Sequence, residues 1–329
     1  MRHLRDETWE GVNGKNYVSV YGPVTEQVFR WWYPVAAAPG SVYLSVLLMK
    51  LPQLAFDFGT ALLLMRLLGV LGLPAARVLV YWWSPLTVIE FAASGHNDSI
   101  AVFFLVLAFI GWATAERAWS LAALAMATLS KLFAGFLWPV IGLRWLERRR
   151  WRDLIWPALV ALIVFWPYRA GLHNVLPGVS VYAGSWRNND SLFGIFYAVT
   201  GSQMGASAAY GATVAAVAGY VAGRALPPLR AAFIVLGTVL LCASNVFSWY
   251  VIWLLPLLAI FPNPAWLMFS VLVFLSYHVL IGYGTLGVWQ DDPRFQLMEY
   301  VPFYALLIGS WIKGSPKSKV QGPKSAEGA

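Results

Sequence analysis

Residues 78–115 read VLVYWWSPLTVIEFAASGHNDSIAVFFLVLAFIGWATA, two apolar runs separated by a short polar loop. Each run approaches the roughly 20 residues that a helix needs to cross the hydrocarbon of a bilayer. The loop, Ser94-Gly95-His96-Asn97-Asp98-Ser99, places an imidazole, an amide and a carboxylate between the two runs. This stretch predicts two successive membrane helices joined by a polar turn.

The composition of the whole chain agrees with that reading. Of 329 residues, 59% are hydrophobic and 12% are charged, and the mean hydropathy is +0.63. A soluble globular domain carries roughly 25% charged residues, so a soluble protein is excluded. The net charge of +8 comes from basic residues that lie between apolar runs, which does not indicate a nucleic-acid partner.

Similar apolar runs recur along the chain with no polar domain between them, so we predict one all-α, polytopic integral membrane protein with about eleven transmembrane helices. The predicted spans are 48–65, 78–94, 99–115, 118–130, 132–146, 154–168, 206–223, 231–244, 249–262, 264–282 and 300–312.

We divide the chain into three parts. Residues 1–47 are expected to be an extracytoplasmic segment, in which Val24 to Tyr33 forms an amphipathic helix along the membrane interface. Residues 48–313 form the multi-span domain. Residues 314–329 are rich in Lys, Ser and Gly and are expected to be a disordered cytoplasmic tail.

The positions of Lys and Arg predict the orientation, because basic residues accumulate in cytoplasmic loops. The threading that best satisfies this rule puts the following basic residues inside: Arg66, Arg77, Arg117, Arg144, Arg148, Arg149, Arg150, Arg152, Arg224, Arg230, Lys313, Lys317, Lys319 and Lys324. The Gly95 loop then faces the outside. The segment between Arg117 and Arg144 is too short for two full spans, so we expect a hairpin of short helices with Lys131 at its outer tip.

The polar loop is the first candidate site. His96, Asn97 and Asp98 could bind sugar hydroxyls, accept a proton or ligate a cation; the alternative is that Asn97 and Asp98 only cap the next helix. Lys131 has no carboxylate nearby in sequence, so a phosphate is a natural partner, and a snorkelling lysine is the alternative.

Other polar residues are weaker candidates. Ser185 to Ser191 resembles the first loop in its amides, carboxylate and aromatic ring, but also reads as a plain loop. The aromatics of Ser244 to Tyr250 could simply mark the interface. Asp57 falls within a span and should face the bundle interior with a partner that the sequence does not identify. The acids of residues 291–299 are expected to lie in a solvated loop, and the single cysteine, Cys242, excludes an internal disulfide.

Several short motifs, taken in order, resemble those of the GT-C membrane glycosyltransferases that use polyprenyl-phosphate sugars, especially bacterial mannosyltransferase-like members. The motifs are Tyr21-Gly22-Pro23, Ser84-Pro85-Leu86-Thr87, Gly95-His96-Asn97-Asp98, Leu129-Ser130-Lys131, Asn189-Asp190-Ser191-Leu192-Phe193 and Trp249-Tyr250-Val251-Ile252-Trp253-Leu254-Leu255-Pro256.

The resemblance implies a hexosyltransferase that moves a sugar, in such families mannose, from a polyprenyl-phosphate donor to the hydroxyl of a glycan or glycolipid acceptor. The reaction would take place on the extracytoplasmic face of the cell membrane, in the synthesis of envelope glycans. A carboxylate would act as general base, and cationic and amide groups would stabilise the departing phosphate.

The resemblance also implies a set of site residues. Asp98 is the candidate catalytic base, and the substrate-binding candidates are Tyr21, His96, Asn97, Lys131, Asn189, Asp190, Trp249 and Tyr250. In relatives the usual catalytic Asp precedes the Tyr-Gly-Pro element, so the first helix and that base are expected to lie before Met1. No cofactor or metal ligand set is predicted, although His96 and Asp98 leave a divalent cation open.

Two alternatives remain from the residues alone. A transporter or flippase of a lipid-linked sugar would need polar residues at mid-depth, and only Asp57 offers one. A catalytically incomplete fragment would lack the usual base.

Overall fold

The computed structural model describes residues 19–115, 117–141, 151–174 and 186–312. Most of these residues are helical, and the described part contains no strand beyond one bridge between Asn188 and Asn245. The α-helices are α1 Pro23–Ala37, α2 Val42–Met49, α3 Leu51–Val70, α4 Leu79–Trp82, α5 Asp98–Ala113, α6 Arg117–Ser130, α7 Ile155–Phe165, α8 Leu192–Thr200, α9 Gln203–Gly223, α10 Pro228–Cys242, α11 Ser248–Val251, α12 Leu255–Ile260, α13 Pro264–Leu272, α14 Val279–Leu286 and α15 Pro293–Ile312.

Four helical segments are long and apolar enough to cross a membrane: Val42–Val70, Arg152–Gly171, Gln203–Gly223 and Pro264–Leu286. Most other predicted spans coincide with helices that are shorter or interrupted, 300–312 lies within the 20-residue α15, and 132–146 extends beyond the described residues. The all-α prediction is therefore confirmed for the described residues, but the count of about eleven crossings is not. The first apolar segment begins at Val42, within the predicted 1–47 part. The predicted tail, 314–329, lies outside the described residues.

The predicted span 78–94 is not one helix. Its chain ends α4 at Trp82, passes Pro85 and continues as a π-helix over Thr87–Ala93. Proline has no N–H and its ring clashes with the preceding turn, which explains the interruption. A π-helix is rare and is frequently found at functional sites. The π-helix that follows this break leads directly into the Gly95 loop.

Helix α5 lies at the centre of the fold, between α3 and α6. Its buried residues extend from Asp98 to Gly111, so it is enclosed by protein over most of its length. Asp57 of α3 accepts a hydrogen bond of 2.7 Å from the Tyr81 hydroxyl. The prediction that Asp57 faces the bundle interior is confirmed, and Tyr81 is the partner that the sequence did not reveal.

The predicted hairpin at Lys131 is present. Helix α6 ends at Ser130, Lys131 is extended, and a 3₁₀ helix runs over Leu132–Leu137. The Trp138 indole N–H donates to the Thr128 hydroxyl over 3.1 Å. Ten residues of continuous helix would separate these groups by about 15 Å, so the chain reverses at Lys131. Arg144 and Arg148 to Arg150 lie outside the described residues.

Candidate active site

Two of the motifs meet where α1 begins and α6 ends. The Gly22 backbone N–H donates to the Ser130 carbonyl over 3.2 Å, and the Thr25 hydroxyl donates to the same oxygen over 3.0 Å. A Cβ atom on Gly22 would lie 1.9 Å from the Leu129 carbonyl oxygen. Only glycine permits so close an approach, so Tyr21-Gly22-Pro23 is fixed against the residue that precedes Lys131.

The Gly95 loop is a tight turn between the π-helix and α5. Gly95 has φ +77, which disfavours any residue with a Cβ, and such a Cβ would also lie 2.9 Å from Lys50 Cγ. The His96 backbone N–H donates to the Glu90 carbonyl over 2.8 Å, and the Lys50 ammonium donates to the Ala93 carbonyl over 2.5 Å. These contacts fix the position of His96 between the π-helix and α5, where its side chain is partly exposed.

Asp98 is fully buried, and both of its carboxylate oxygens are bound. Oδ2 pairs with the Lys131 ammonium at 2.5 Å, and Oδ1 accepts the Trp253 indole N–H at 2.7 Å. Asn97 occupies the N-cap position of α5 but forms no side-chain cap hydrogen bond. Capping therefore does not explain these side chains. Asp98 serves in this geometry to hold a lysine and a tryptophan.

Lys131 is the cation of the site. Its side chain is 18% exposed, and its ammonium lies 5.0 Å from the centre of the Tyr250 ring as well as against Asp98. The carboxylate partner that the neighbouring sequence lacks comes from 33 residues away. An ammonium has three donor hydrogens, so Asp98 and the Tyr250 face fix its position without using all of its hydrogen-bonding capacity.

His96 stacks on Trp249, with ring centres 3.9 Å apart, and Trp249 also stacks with Phe247 at 4.5 Å. The imidazole Nε2 lies 3.4 Å from the Glu90 carboxylate. Glu90 is itself fully buried and accepts hydrogen bonds from the hydroxyls of Ser248 at 2.6 Å and Tyr277 at 2.8 Å. The ring contacts of Trp249 are thus with protein, and their effect is to orient His96.

Burial lowers the pKa of His96 to about 4, and the positive charge of Lys131 acts in the same direction while Asp98 opposes it. The imidazole is therefore neutral near pH 7. The pKa of the Tyr21 hydroxyl is raised, first by its partial burial and then by the negative charges of Asp98 and Glu26, while a hydrogen bond to Asn97 acts in the opposite sense. Tyr21 thus reaches the same polar cluster.

Asn189 and Asp190 belong to a neighbouring cluster. The Asn189 side-chain amide donates to the Glu299 carboxylate over 2.8 Å, and the Asn189 backbone N–H donates to Asp291 over 3.1 Å. Asp190 pairs with Arg187 at 2.7 Å. Glu299 is fully buried in α15, so the expectation that residues 291–299 form a solvated loop is wrong for this side chain.

The structure brings together six of the predicted site residues: His96, Asn97, Asp98, Lys131, Trp249 and Tyr250. Tyr21 joins them through Asn97. The sequence reasoning assigned no role to Trp253, Ser248 and Tyr277, which contact the two buried acids. Trp253 could have been found, because it follows Trp249 and Tyr250 at the four- and three-residue spacing of one helix face.

Two clefts are lined by residues at the start of α3. One, of about 560 Å³, is almost entirely apolar and lies between α1 and helices α3, α5 and α6, with Val24, Trp31 and Phe104 among its lining residues. The other, of about 810 Å³, has a mixed lining that includes Ser41, Lys50 and Gly95. The second cleft therefore reaches the Gly95 turn, and the first is lined by residues of α1 and α6, the helices that meet beside Lys131.

Among the described residues there is no group of three or more His, Cys, Asp or Glu side chains arranged to hold a metal ion. His96 and Asp98 do not form such a group.

Comparison with known proteins gives one match. Residues 8–147 match the model of the family described as alpha-(1->6)-mannopyranosyltransferase, N-terminal domain, a GT-C-type mannosyltransferase family. The resemblance inferred from the motifs is thereby confirmed over this range, which includes the Tyr21, Gly95 and Lys131 elements. No curated protein and no solved structure matches the chain.

Proposed function

We propose that this chain is a membrane glycosyltransferase of GT-C type. It transfers mannose from a polyprenyl-phosphate donor to the hydroxyl of an acceptor, and the reaction takes place on the extracytoplasmic face. The observation that carries the proposal is the Lys131 ammonium, partly exposed and fixed by Asp98 and Tyr250 where the motifs converge. The family match supports glycosyl transfer as the type of reaction.

Lys131 would bind the donor phosphate. A lysine presents a compact point charge that suits a phosphate oxygen. The pair with Asp98 pre-orients the ammonium, so little side-chain entropy remains to be lost when the donor binds. As the phosphate departs from the anomeric carbon, the same cation would stabilise its growing negative charge.

The apolar cleft would receive the first part of the prenyl chain. Its lining is formed mainly by hydrophobic and aromatic side chains, and it begins at Val24, two residues beyond the Gly22 contact with Ser130. A prenyl chain in this cleft would place its phosphate end near the α6 hairpin. Burial of apolar surface is worth roughly 25 cal/mol per Å², so the lipid would supply much of the donor's binding energy.

Asp98 is proposed to position Lys131 rather than to act alone as base. A general base must reach the hydroxyl proton that it removes, and both oxygens of Asp98 are already bound. His96, which is 29% exposed, and Asn97 would contact the sugar or acceptor hydroxyls. Asn189 and Asp190 would lie at the edge of the site. The backbone N–H of Val246, three residues before Trp249, donates to the carbonyl of Asn188, the neighbour of Asn189.

The orientation follows from the distribution of basic residues. On that threading Asp98, Lys131, Asp190 and Tyr250 all lie on the outer side, where a lipid-linked donor would meet a glycan or glycolipid acceptor. The transporter alternative depended on a polar residue at mid-depth. Asp57, the residue in question, is 6% exposed and bonded to Tyr81, which suits a structural role.

The test is transfer by the purified full chain in proteoliposomes that contain polyprenyl-phosphate [¹⁴C]mannose and short mannoside acceptors. We expect a labelled, elongated acceptor, and less product when the donor carries a different hexose. Lys131→Gln should abolish the product, while Arg66→Gln, an exposed basic residue of α3 that the site does not use, should retain most of it. Absence of transfer across several sugars and acceptors, together with counterflow of the donor, would refute the proposal in favour of transport.

A further inference from the structure

The cluster around Asn189 contains buried oxygen atoms without hydrogen-bond partners. Four side chains contribute one each in the part of the chain that the structure describes: Asn189 Oδ1, Asn245 Oδ1, Asp291 Oδ1 and Glu299 Oε1. Asn189, Asn245 and Glu299 are 1%, 4% and 0% exposed. A buried acceptor left unsatisfied costs about 1–3 kcal/mol, so such a concentration in one place calls for a physical explanation.

Three of these side chains are directly connected, and Asn245 lies on the segment that pairs with Asn188. Asn189 contacts Glu299 through its side-chain N–H and Asp291 through its backbone N–H. The Tyr300 hydroxyl donates to the Asn189 carbonyl over 2.7 Å, and the Ser276 backbone amide also approaches the Glu299 carboxylate. Asn245 joins through the pairing of its segment with Asn188.

The carboxylates of the cluster have no close cationic partner among the described side chains. Asp291 and Glu299 form no ion pair in the described ranges: Arg187 pairs with Asp190 and acts on Asp291 only from a longer distance, and Arg294 pairs with Asp292. Two carboxylates in a region of low dielectric strongly favour a compensating positive charge. Asn189 adds an amide oxygen, which is also a suitable ligand for a hard cation.

We propose that Asn189, Asp291 and Glu299, with Asn245 as a fourth ligand, bind a divalent cation through their oxygen atoms, and that Ca²⁺ fits this set better than Mg²⁺. Calcium takes 6–8 oxygen ligands in flexible geometry, whereas magnesium usually retains several waters. A buried set made of protein oxygens therefore favours calcium. The bound cation would balance two carboxylates without a lysine or arginine.

Such a cation would hold the outer loops together. Asn189 lies just before α8, Asn245 lies three residues before α11, and Glu299 lies in α15. The segment from Asn245 leads directly to Trp249 and Tyr250, which contact His96 and Lys131. The site is therefore structural, and its existence does not depend on the proposed transferase activity.

The test uses the full chain in detergent after treatment with a chelator. Thermal unfolding is followed while CaCl₂ is added, with MgCl₂ and NaCl of equal ionic strength as references. We expect a saturable rise in Tm of about 5 °C at ~100 times Kd. Asp291→Asn and Glu299→Gln should lose this rise. Asp292→Asn, which removes the adjacent acid that pairs with Arg294, should retain it.

A second readout is Tb³⁺ luminescence, since Tb³⁺ replaces Ca²⁺ and is excited through nearby tryptophan. The Trp289 indole N–H lies 3.2 Å from Asn188 Oδ1, next to the proposed ligands. We expect sensitised emission that Ca²⁺ displaces and that Asp291→Asn abolishes, which gives an answer even if Glu299→Gln fails to fold.

Two results would overturn the proposal. One is a Tm that is indifferent to divalent cations but rises as the pH is lowered, because a proton on Glu299 would then balance the cluster. The other is an equal calcium response in the wild type, Asp291→Asn and Glu299→Gln. Neither result bears on sugar transfer, which is measured separately.

Discussion

Two buried polar clusters in the described part of the chain differ in how their acids are balanced. In the first, Asp98 receives a lysine from 33 residues away, and both of its oxygens are bound. In the second, Asp291 and Glu299 form no close ion pair with any described residue, and each retains an oxygen without a partner.

The two clusters therefore suit ligands of opposite charge. We call the first cluster, formed by Asp98, Lys131, Trp253 and Tyr250, the closed cluster. Its lysine is partly exposed, so it presents a fixed positive charge to a ligand that approaches from outside. An unbalanced cluster of acceptors requires a positive charge from outside. We therefore assign the first cluster to the anionic donor and the second to a cation that stabilises the loops.

The largest expected effect comes from breaking the closed cluster. Lys131→Met leaves Asp98 buried without its cation, which should destabilise the protein by about 3 kcal/mol and reduce transfer at least ~100-fold. Melting curves and transfer assays measure the two effects.

The double variant Asp98→Asn/Lys131→Met separates stability from activity. It should recover most of the lost stability, because no charge is left uncompensated, while transfer stays as low as in Lys131→Met. Recovery of activity together with stability would contradict a role for Lys131 in donor binding.

The next largest effect is expected from disturbing the contact between the start of α1 and the end of α6, beside Lys131. Gly22→Ala places a Cβ 1.9 Å from the Leu129 carbonyl oxygen, so α1 must shift away from α6, at a cost of about 2 kcal/mol. Thermal unfolding should show a clear loss, accompanied by a higher KM for the donor. Gly219→Ala is the matched control, since its Cβ would meet nothing within 4 Å and helical alanine should be neutral or stabilising.

A smaller effect is predicted for pH. His96 has a pKa of about 4 in the folded protein, below the usual value of about 6.5. As the pH falls from 6.5 towards 4, the unfolded chain gains a proton on this residue that the folded chain does not, so stability falls over that interval and this contribution is constant above it. His96→Phe, which retains a ring against Trp249, should flatten the decline of Tm between pH 6.5 and 4. An identical decline in both proteins would show that His96 is not responsible.

The smallest effect tests the aromatic face of the closed cluster. Tyr250→Leu removes the ring beneath the Lys131 ammonium, and the loss of a cation–π contact of about 1 kcal/mol should raise KM for the donor roughly 5-fold. Tyr250→Phe keeps the ring and should change KM little. Equal effects of the two substitutions would assign the role to the hydroxyl instead.

Much of the helical structure could be predicted from the sequence, because apolar runs and Pro or Gly breaks act locally. The reversal at Lys131 was predictable from length, because the segment between Arg117 and Arg144 is too short for two full crossings. The number of crossings stays a prediction, since Pro85 and Pro256 divide apolar sequence into short helices whose relation to the membrane a hydropathy pattern does not define.

The sequence was sufficient to predict which residues form the site, but not which of their side chains contact each other. The Gly95 loop, Lys131 and Tyr250 stand out as polar or aromatic residues among apolar ones. The pairs of Asp98 with Lys131 and of Asp57 with Tyr81 depend on how helices pack, and no local pattern encodes that packing. Glu299 was assigned to solvent for the same reason, since only tertiary structure brings Asn189 to it.

The central claim, that Lys131 receives the phosphate of a lipid-linked sugar, is tested most directly by an electron-density map of the full chain with polyprenyl-phosphate mannose bound. We expect phosphate density about 3 Å from Lys131 Nζ, with the prenyl chain entering the cleft lined by Val24, Trp31 and Phe104. Phosphate density elsewhere, with Lys131 bound to Asp98 alone, would contradict it.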